Sequence, residues 1–117
     1  MPDARRLFGD LGEAAAAREL ERRGVRVIAR NARTRYGELD IVGQDERGHV
    51  FVEVKTRRCG SFVSAVEAVD TRKLARLQGL ALAWAAEHRV RGRIRLVVAA
   101  VTVDAAGMSV ELIEVAG

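Results

Sequence analysis

Hydrophobic and polar residues alternate along two neighbouring segments of the chain, residues 38–44 and 49–55. A period of two is typical of β-strands with one face turned toward a core, so both segments are predicted to be strands. The residues between them, 45–48, are polar and end in a glycine, which is typical of a tight turn. The pattern therefore predicts a β-hairpin over this part of the chain.

Apolar side chains at helical spacing predict two helices, at residues 4–23 and 71–88. Gly24 is expected to end the first helix, and Asp70 to cap the N-terminus of the second. Residues 59–61 break the strand pattern and predict the opening of a loop. Further strands are predicted at residues 25–31, 93–103 and 109–115.

The predicted elements follow one another as a helix, three strands, a second helix and two strands. Residues 97–101 are apolar on both faces, which indicates a central strand covered from both sides, and we expect it beside the strand that carries Glu53. These features predict an α+β fold, in which helices flank a mixed central sheet of about five strands. We expect residues 1–117 to form a single domain.

The hairpin register brings two carboxylates together. If Gln44 pairs with His49, then Asp40 lies directly opposite Glu53. The Cβ atoms of such a pair are about 4.5–5.5 Å apart. Two carboxylates at that distance repel each other unless a cation lies between them or one is protonated. A divalent cation is therefore the natural occupant of this position.

Lys55 lies on the same strand face as Glu53, since side chains two positions apart share a face. The same register predicts Glu38 as its partner across the strands. Among the 20 basic residues only Lys55 and Lys73 are lysines. A compact ammonium group is suited to orienting a water or holding a phosphate oxygen. The placement supports a phosphate-directed role, although two lysines could also fall here by chance.

The net charge of +4 and the pI near 10.2 favour a polyanionic partner. Arg33 and Arg35 precede the hairpin, and Arg57 and Arg58 follow it, so these four residues flank the carboxylate face. We expect them to contact nucleic-acid phosphates. For any single arginine run, a solvated surface is the alternative, and a third run occupies residues 89–95.

Other features narrow the class of protein. The sequence contains no uncharged apolar run of the roughly 20 residues that a membrane-spanning helix needs, and its N-terminus has no signal-peptide core. Its one cysteine, Cys59, allows neither an internal disulfide nor a cysteine-based zinc cluster. We therefore expect a cytoplasmic protein that does not act at a membrane.

An acidic residue followed on the next strand by Glu53-Val54-Lys55 resembles the PD-(D/E)XK signature of restriction-endonuclease-like nucleases, here without its leading proline. The wider sequence resembles the YraN family of small bacterial proteins, whose arrangement of elements is similar to that of archaeal Holliday-junction resolvases. The resemblance covers nearly the whole chain. It is carried by Gly12-Glu13, Asn31, residues 37–42 and residues 51–57. In residues 93–96 the chain departs from the family pattern, since an arginine stands where relatives tend to have an aspartate.

The resemblance implies a restriction-endonuclease-like fold and a metal site at Asp40, Glu53, Lys55 and Glu13. On this interpretation Asp40 and Glu53 bind Mg²⁺ or Mn²⁺, with the Val54 carbonyl as a third ligand. Lys55 orients the attacking water or stabilises charge on the phosphate, and Glu13 completes the shell. The resemblance also matches Lys73 to a lysine of the family, and we add it to the residues expected to bind nucleic acid.

Several of these residues have a simpler interpretation. Glu13 could be an exposed helical acid, and the role of Glu38 could be limited to orienting the Lys55 ammonium group. Tyr36 could stack on a base, but a packed loop aromatic is simpler. Trp84 is expected to be a core residue, and the carboxylates of the hairpin could be solvated groups of a surface ladder.

The predicted function is that of a metal-dependent endonuclease that hydrolyses DNA, with branched or damaged DNA among its candidate substrates and a homodimer as one candidate state. Two alternatives stay open. One is a non-catalytic nucleic-acid-binding module of the same fold. The other is an interaction partner in a repair or ribosome-associated assembly.

Overall fold

The computed structural model describes residues 3–60 and 70–116. Its element order is the predicted one, a helix, three strands, a second helix and two strands. Part of the loop predicted at residues 59–61 falls on Ser61, which lies outside the described residues. The elements are α1 (Ala4–Arg22), β1 (Arg26–Thr34), β2 (Gly37–Asp45), β3 (Gly48–Arg58), α2 (Thr71–Glu87), β4 (Ile94–Asp104) and β5 (Gly107–Ala116).

The five strands form one mixed sheet in the order β1-β2-β3-β4-β5. Strands β3 and β4 are parallel, and the other neighbouring pairs are antiparallel. Two parallel neighbours need a crossover connection, and α2 lies between them in the chain. The predicted α+β fold with a five-stranded mixed sheet is confirmed.

The two helices cover opposite faces of the sheet. On one face, α1 packs its small residues and Leu20 against Ile41 and Val52. On the other face, α2 packs Trp84 against Phe51, with the two rings edge to face at 5.7 Å between centroids. The expectation that Trp84 is a core residue is confirmed. Strand β4 is buried on both sides, as its continuous apolar run predicts, through Leu96, Val97, Val98, Ala99 and Val101.

Both helices begin at an aspartate that accepts a backbone hydrogen bond. The Asp70 carboxylate accepts from the Lys73 N–H at 2.8 Å, so the predicted cap of α2 is confirmed. Asp3 accepts from the Arg5 N–H at 2.9 Å at the start of α1. Within residues 3–60 and 70–116, neither helix has the length and apolar character needed to cross a membrane.

One arginine of the third run lies inside the protein. Arg95 is only 5% exposed, and its guanidinium donates to Asp45 Oδ1 at 2.6 Å. The expectation of a solvated surface is wrong for this residue, because β4 is central and the acid that ends β2 lies within reach. The pair joins the two strands at the end of the sheet where the β2–β3 hairpin turns.

Candidate active site

The predicted hairpin register is confirmed from Gln44–His49 to Ile41–Val52. The paired segment ends there, one position short of Asp40 and Glu53. Beyond it, β3 continues to pair with β4 on its other edge as far as Arg58. Strands β2 and β3 therefore separate, and an opening forms between them at this end of the hairpin.

The Asp40 carboxylate bridges this opening. Its Oδ2 atom accepts a hydrogen bond from the Val54 backbone N–H at 2.8 Å. A side-chain bond thus replaces the backbone bond that an ideal ladder would make. Since the N–H and C=O of a strand residue point to the same edge, the Val54 carbonyl also faces the opening.

Strand β2 reverses its faces at Asp40. Leu39 and Ile41, two positions apart, would share a face in a regular strand, but Leu39 packs in the α2-side core and Ile41 in the α1-side core. The neighbouring pairs Arg30–Ile41 and Ala32–Leu39 set Asn31 across from Asp40, and Asn31 has a φ of 50°. Asparagine tolerates this left-handed conformation better than most residues. The reversal places the Asp40 carboxylate between the two layers of the protein.

A cavity of about 180 Å³ borders this opening on the α2 side. Glu53 lines this cavity, and its Oε1 atom lies 3.7 Å from Lys55 Nζ and 3.8 Å from Arg76 Nη1. The Glu53 side chain is only 13% exposed, whereas those of Lys55 and Arg76 are 28% and 60% exposed, so the acid lies deeper than its two basic partners. The lining residues are Glu38, Leu39, Asp40, Val52, Glu53, Arg76, Leu77 and Leu80.

The predicted pairing of Glu38 with Lys55 is wrong. Lys55 contacts Glu53 on its own strand, whereas Glu38 Oε2 lies 4.0 Å from Arg33 Nε on β1. The reason is the early end of the β2–β3 ladder, which removes the cross-strand position that the register would have given to these two side chains. Lys55 thus keeps its place beside the acidic group of the site.

Helix α1 brings Glu13 toward the site because Gly12 lets the helix approach β3. A Cβ atom at Gly12 would overlap Oγ1 of Thr56, so only glycine permits this packing. Glu13 is half-buried, and its Oε1 atom is buried with no hydrogen-bond partner among the described residues. The alternative of an exposed helical acid is therefore wrong.

The pKa of Glu13 is raised to about 7, first by burial and then by the negative charges of Asp40 and Asp10. The pKa of Asp40 is also raised, mainly by burial. The hydrogen bond from Val54 opposes this shift, and the nearby Glu53 carboxylate adds to it. Both carboxyl groups hold their protons more tightly than usual, because too little positive charge lies nearby to stabilise their ionised forms. A bound cation would lower both pKa values.

The acidic side chains alone do not form a complete metal-binding site. Across residues 3–60 and 70–116, no three His, Cys, Asp or Glu side chains are grouped closely enough to hold one metal ion. A divalent ion held by Asp40 and Glu53 would need backbone oxygen and water as further ligands. Mg²⁺ normally keeps several waters, so this donor set suits it. The role of the Val54 carbonyl as a ligand stays a prediction.

The residues expected to bind nucleic acid lie on several sides of the opening. Arg33 is on the edge strand β1, with 90% of its side chain exposed. Arg35 lies in the β1–β2 turn, 5.8 Å from the centre of the Tyr36 ring. Tyr36 itself is 72% exposed, so the expectation of a packed loop aromatic is wrong.

On β3, Arg57 is half-buried, and Arg58 is exposed with its guanidinium 5.4 Å from the Phe8 ring. Lys73 lies half-buried in the first turn of α2. The basic groups thus come from the edge strand, the end of β3 and the start of α2. Their contacts with a nucleic acid stay predictions.

Arg76 is a site residue that the sequence interpretation missed. It lies on α2, lines the cavity and contacts Glu53. A signal was present in the sequence, since Arg76 follows Lys73 by three positions and precedes the buried Leu77. Residues at this spacing share a side of a helix. The expected helix face toward the sheet would therefore have included Arg76.

Comparison with protein-family models shows a match to the uncharacterised protein family UPF0102 over residues 12–101. This range contains Glu13, Asp40, Glu53 and Lys55. A UPF0102 protein of Beutenbergia cavernae is 47% identical over 105 residues, which are 89% of each chain. One of Acidothermus cellulolyticus is 49% identical over 85 residues, 73% of this chain and 64% of the relative.

Among solved structures, a repair endonuclease from Pyrococcus abyssi has a similar fold, with a TM-score of 0.52 at 22% sequence identity. The match covers 76% of this chain but only 37% of that protein. At this identity the likeness shows the fold alone. It agrees with the restriction-endonuclease-like fold expected from the sequence.

Proposed function

Because the chain belongs to the UPF0102 family, the YraN family that its motifs resemble, and has the fold of a repair endonuclease, we propose that it is a metal-dependent nuclease that hydrolyses DNA phosphodiester bonds. The cation in this proposal is Mg²⁺ or Mn²⁺. The substrate is DNA, with branched or damaged DNA as the candidate forms. The homodimer expected from the sequence stays a prediction.

The proximity of Asp40, Glu53 and Lys55 beside the opening between β2 and β3 is the observation that supports the proposal most directly. Glu53 and Lys55 are 3.7 Å apart, and Asp40 lines the same cavity as Glu53. Glu13 lies on the opposite side of the sheet, where it lines a separate cavity with Asn31 and Glu38, and the charge of Asp40 contributes to its raised pKa. A DNA-binding surface alone has no use for carboxylates turned toward phosphates.

Each side chain has a distinct task in the proposed reaction. Asp40 and Glu53 hold the cation, which supplies Lewis-acid activation of the phosphodiester when bound. Lys55, with 28% of its side chain exposed, stabilises the negative charge that develops on the phosphate oxygens. The Oε1 atom of Glu13, which has no hydrogen-bond partner among the described residues, accepts a hydrogen bond from the attacking water.

A DNA cleavage assay tests the proposal. Supercoiled plasmid and a synthetic branched DNA are incubated with purified protein and either Mg²⁺ or Mn²⁺. We expect nicks or cuts from the wild type and none from Asp40→Asn or Lys55→Ala, while both variants still bind DNA. Cleavage by both variants at the wild-type rate would mean that a contaminating nuclease produced the products.

The second candidate function, a non-catalytic nucleic-acid-binding module, is favoured by a different observation. The Glu53 carboxylate already lies within 4 Å of two cationic side chains, those of Lys55 and Arg76. Glu53 could therefore be neutralised without a metal. A calorimetric titration with Mn²⁺ separates the two functions, since the nuclease requires binding that Glu53→Ala weakens, whereas the binding module predicts no metal uptake by either protein.

A further inference from the structure

The two-residue turn between β1 and β2 presents the only tyrosine of the chain to solvent. Tyr36 is 72% exposed, the most exposed of the large hydrophobic side chains that are exposed in the described residues. An aromatic ring has an apolar body and therefore gains from being covered. Among the described residues, the ring belongs to neither of the two buried core clusters.

The backbone that carries this ring is held in place. Thr34 Oγ1 donates a hydrogen bond to the Gly37 carbonyl at 2.8 Å and accepts one from the Tyr36 N–H at 3.1 Å. On the outer side, the Arg35 N–H donates to Glu87 Oε2 at 3.3 Å. A ring on a fixed backbone loses little conformational entropy when it binds a partner.

The turn borders the candidate active site. The position that a Cβ atom of Gly37 would occupy lies 3.2 Å from Leu80 Cδ2 and 3.7 Å from Arg76 Nη2. Leu80 and Arg76 both line the cavity that contains Asp40 and Glu53. A strand with one phosphate in the cavity therefore has its neighbouring nucleotides within reach of the turn.

Positive charge accompanies the ring. The Arg35 guanidinium lies over Tyr36, 5.8 Å from the ring centre, and Arg33, on the strand β1 that leads into the turn, has a side chain that is 90% exposed. An aromatic ring beside arginines is the combination that proteins use for single-stranded nucleic acids, where bases stack on the ring and arginines contact phosphates.

We propose that Tyr36 stacks on an unpaired base of a DNA strand whose phosphate occupies the cavity, so that the substrate carries a single-stranded or unpaired segment. The inference rests on the proposed nuclease function and adds its substrate class. Bases inside a duplex have both faces covered by their neighbours, so only an unpaired base offers a free face. A duplex without such a base leaves the ring unused.

Binding to matched DNA ligands tests the inference. Fluorescence anisotropy measures the affinity for a 20-nucleotide single strand, the same strand in a blunt duplex, and the single strand with abasic positions. Ca²⁺ replaces Mg²⁺, and gels verify that the DNA stays intact. For Tyr36→Ala we expect about tenfold weaker binding of the intact single strand and little change for the duplex or the abasic strand. Tyr36→Phe keeps the ring and should bind within about twofold of the wild type.

Leu82→Ala is the matched control, because it removes another exposed apolar side chain, one that lies on α2 and is 53% exposed. It should bind all three ligands as the wild type does. Equal losses of duplex and single-strand binding in Tyr36→Ala, no loss, or a change only in self-association would each overturn the stacking role. If the wild type still cuts DNA in the presence of Mg²⁺, the nuclease proposal survives that result. Failure of the wild type both to bind and to cut DNA would overturn both.

Discussion

Asn31 stands across from Asp40 between two paired positions of β1 and β2, and β2 reverses its faces there. The pairs on either side, Arg30–Ile41 and Ala32–Leu39, keep the same register, so the reversal needs no inserted residue. Asn31 adopts a φ of 50°, and the Asp40 side chain accepts a hydrogen bond from the Val54 N–H. The backbone conformation of one residue thus helps to aim the carboxylate of the other.

This relationship predicts the effect of changing Asn31. An alanine at a left-handed position costs about 1–2 kcal/mol, whereas glycine adopts the conformation freely. We expect Asn31→Ala to lower the free energy of unfolding by about 1 kcal/mol, and Asn31→Gly to stay close to the wild type. Urea unfolding measures both. An alanine variant as stable as the glycine variant would show that the reversal does not depend on this φ.

Gly12 gives a second prediction, because a side chain there would overlap Thr56 and push α1 away from β3. We expect Gly12→Ala to destabilise the protein by about 1–3 kcal/mol, as overpacking commonly does. It should also weaken metal binding, since Glu13 lies on the same helix and would move away from the site with it. The double variant Gly12→Ala/Thr56→Ala removes the closest overlap and should recover part of both losses.

Gly9 is the matched control for Gly12. It lies in the same helix, and a Cβ atom there would have nothing within 4 Å among the described residues. Gly9→Ala should therefore raise stability by about 0.5–1 kcal/mol, the usual gain inside a helix. Thermal unfolding of both variants measures the difference. Equal destabilisation by the two substitutions would contradict the close contact between α1 and β3.

The parts of the site that could be predicted from sequence follow from local rules. The period of two and the tight turn gave the pairing of Gln44 with His49 and its extension to Ile41 with Val52. The N-cap at Asp70 follows from the chemistry of a single side chain. These features need no knowledge of distant packing, and the structure agrees with them.

The end of the hairpin ladder could not be predicted in the same way. A period of two assumes a regular strand, and Asp40 breaks that assumption by bonding the Val54 N–H with its side chain. The partner of Glu38 was therefore wrongly predicted. Asn31 offers a weak signal of the irregularity, since asparagine is enriched among residues with positive φ.

Contacts between distant elements account for the remaining differences. Arg76 reaches Glu53 only because α2 crosses over the sheet beside β3, and Arg95 is buried only because β4 is central. The burial of Arg95 does not follow from the spacing of residues within β4, and the spacing within α2 places Arg76 toward the sheet without identifying Glu53 as its partner. Sequence alone therefore predicted the proximity of Asp40 and Glu53 better than the positions of the basic groups around them.

The raised pKa of Glu13 predicts how stability depends on pH. Its folded-state value of about 7 lies above the ordinary 4.5, so the folded protein binds this proton more tightly than the unfolded chain does. The resulting stability is present below pH 4.5 and is lost as the pH rises through 7. Because the group is partly solvated, the loss should be about 1 kcal/mol.

The test compares wild type with Glu13→Gln by chemical unfolding at pH 5 and pH 8, with and without Mg²⁺. Without the cation, the wild type should lose more stability between these pH values than the variant does. With Mg²⁺, the wild type should recover most of the difference, since a cation favours the ionised carboxylate. Identical pH dependence in the two proteins would remove Glu13 from the charged site.

Arg76 provides the last prediction, because it competes with a metal for Glu53 and also adds positive charge at the cavity. Its guanidinium lies 3.8 Å from Glu53 Oε1 and is largely exposed. We expect Arg76→Ala to bind Mn²⁺ about two- to fivefold more tightly, which corresponds to the loss of one exposed ion pair. The same variant should bind DNA less tightly. The slope of its log binding constant against log salt concentration should become smaller in magnitude by about one.

Arg72→Ala is the control for Arg76→Ala, since Arg72 is exposed on the same helix but does not line the cavity. It removes the same charge and should leave Mn²⁺ affinity unchanged in calorimetry. Anisotropy titrations over a range of salt concentrations then separate general charge from contact at the site. If both variants alter metal affinity equally, the effect is long-range, and the direct contact between Arg76 and Glu53 does not govern the site.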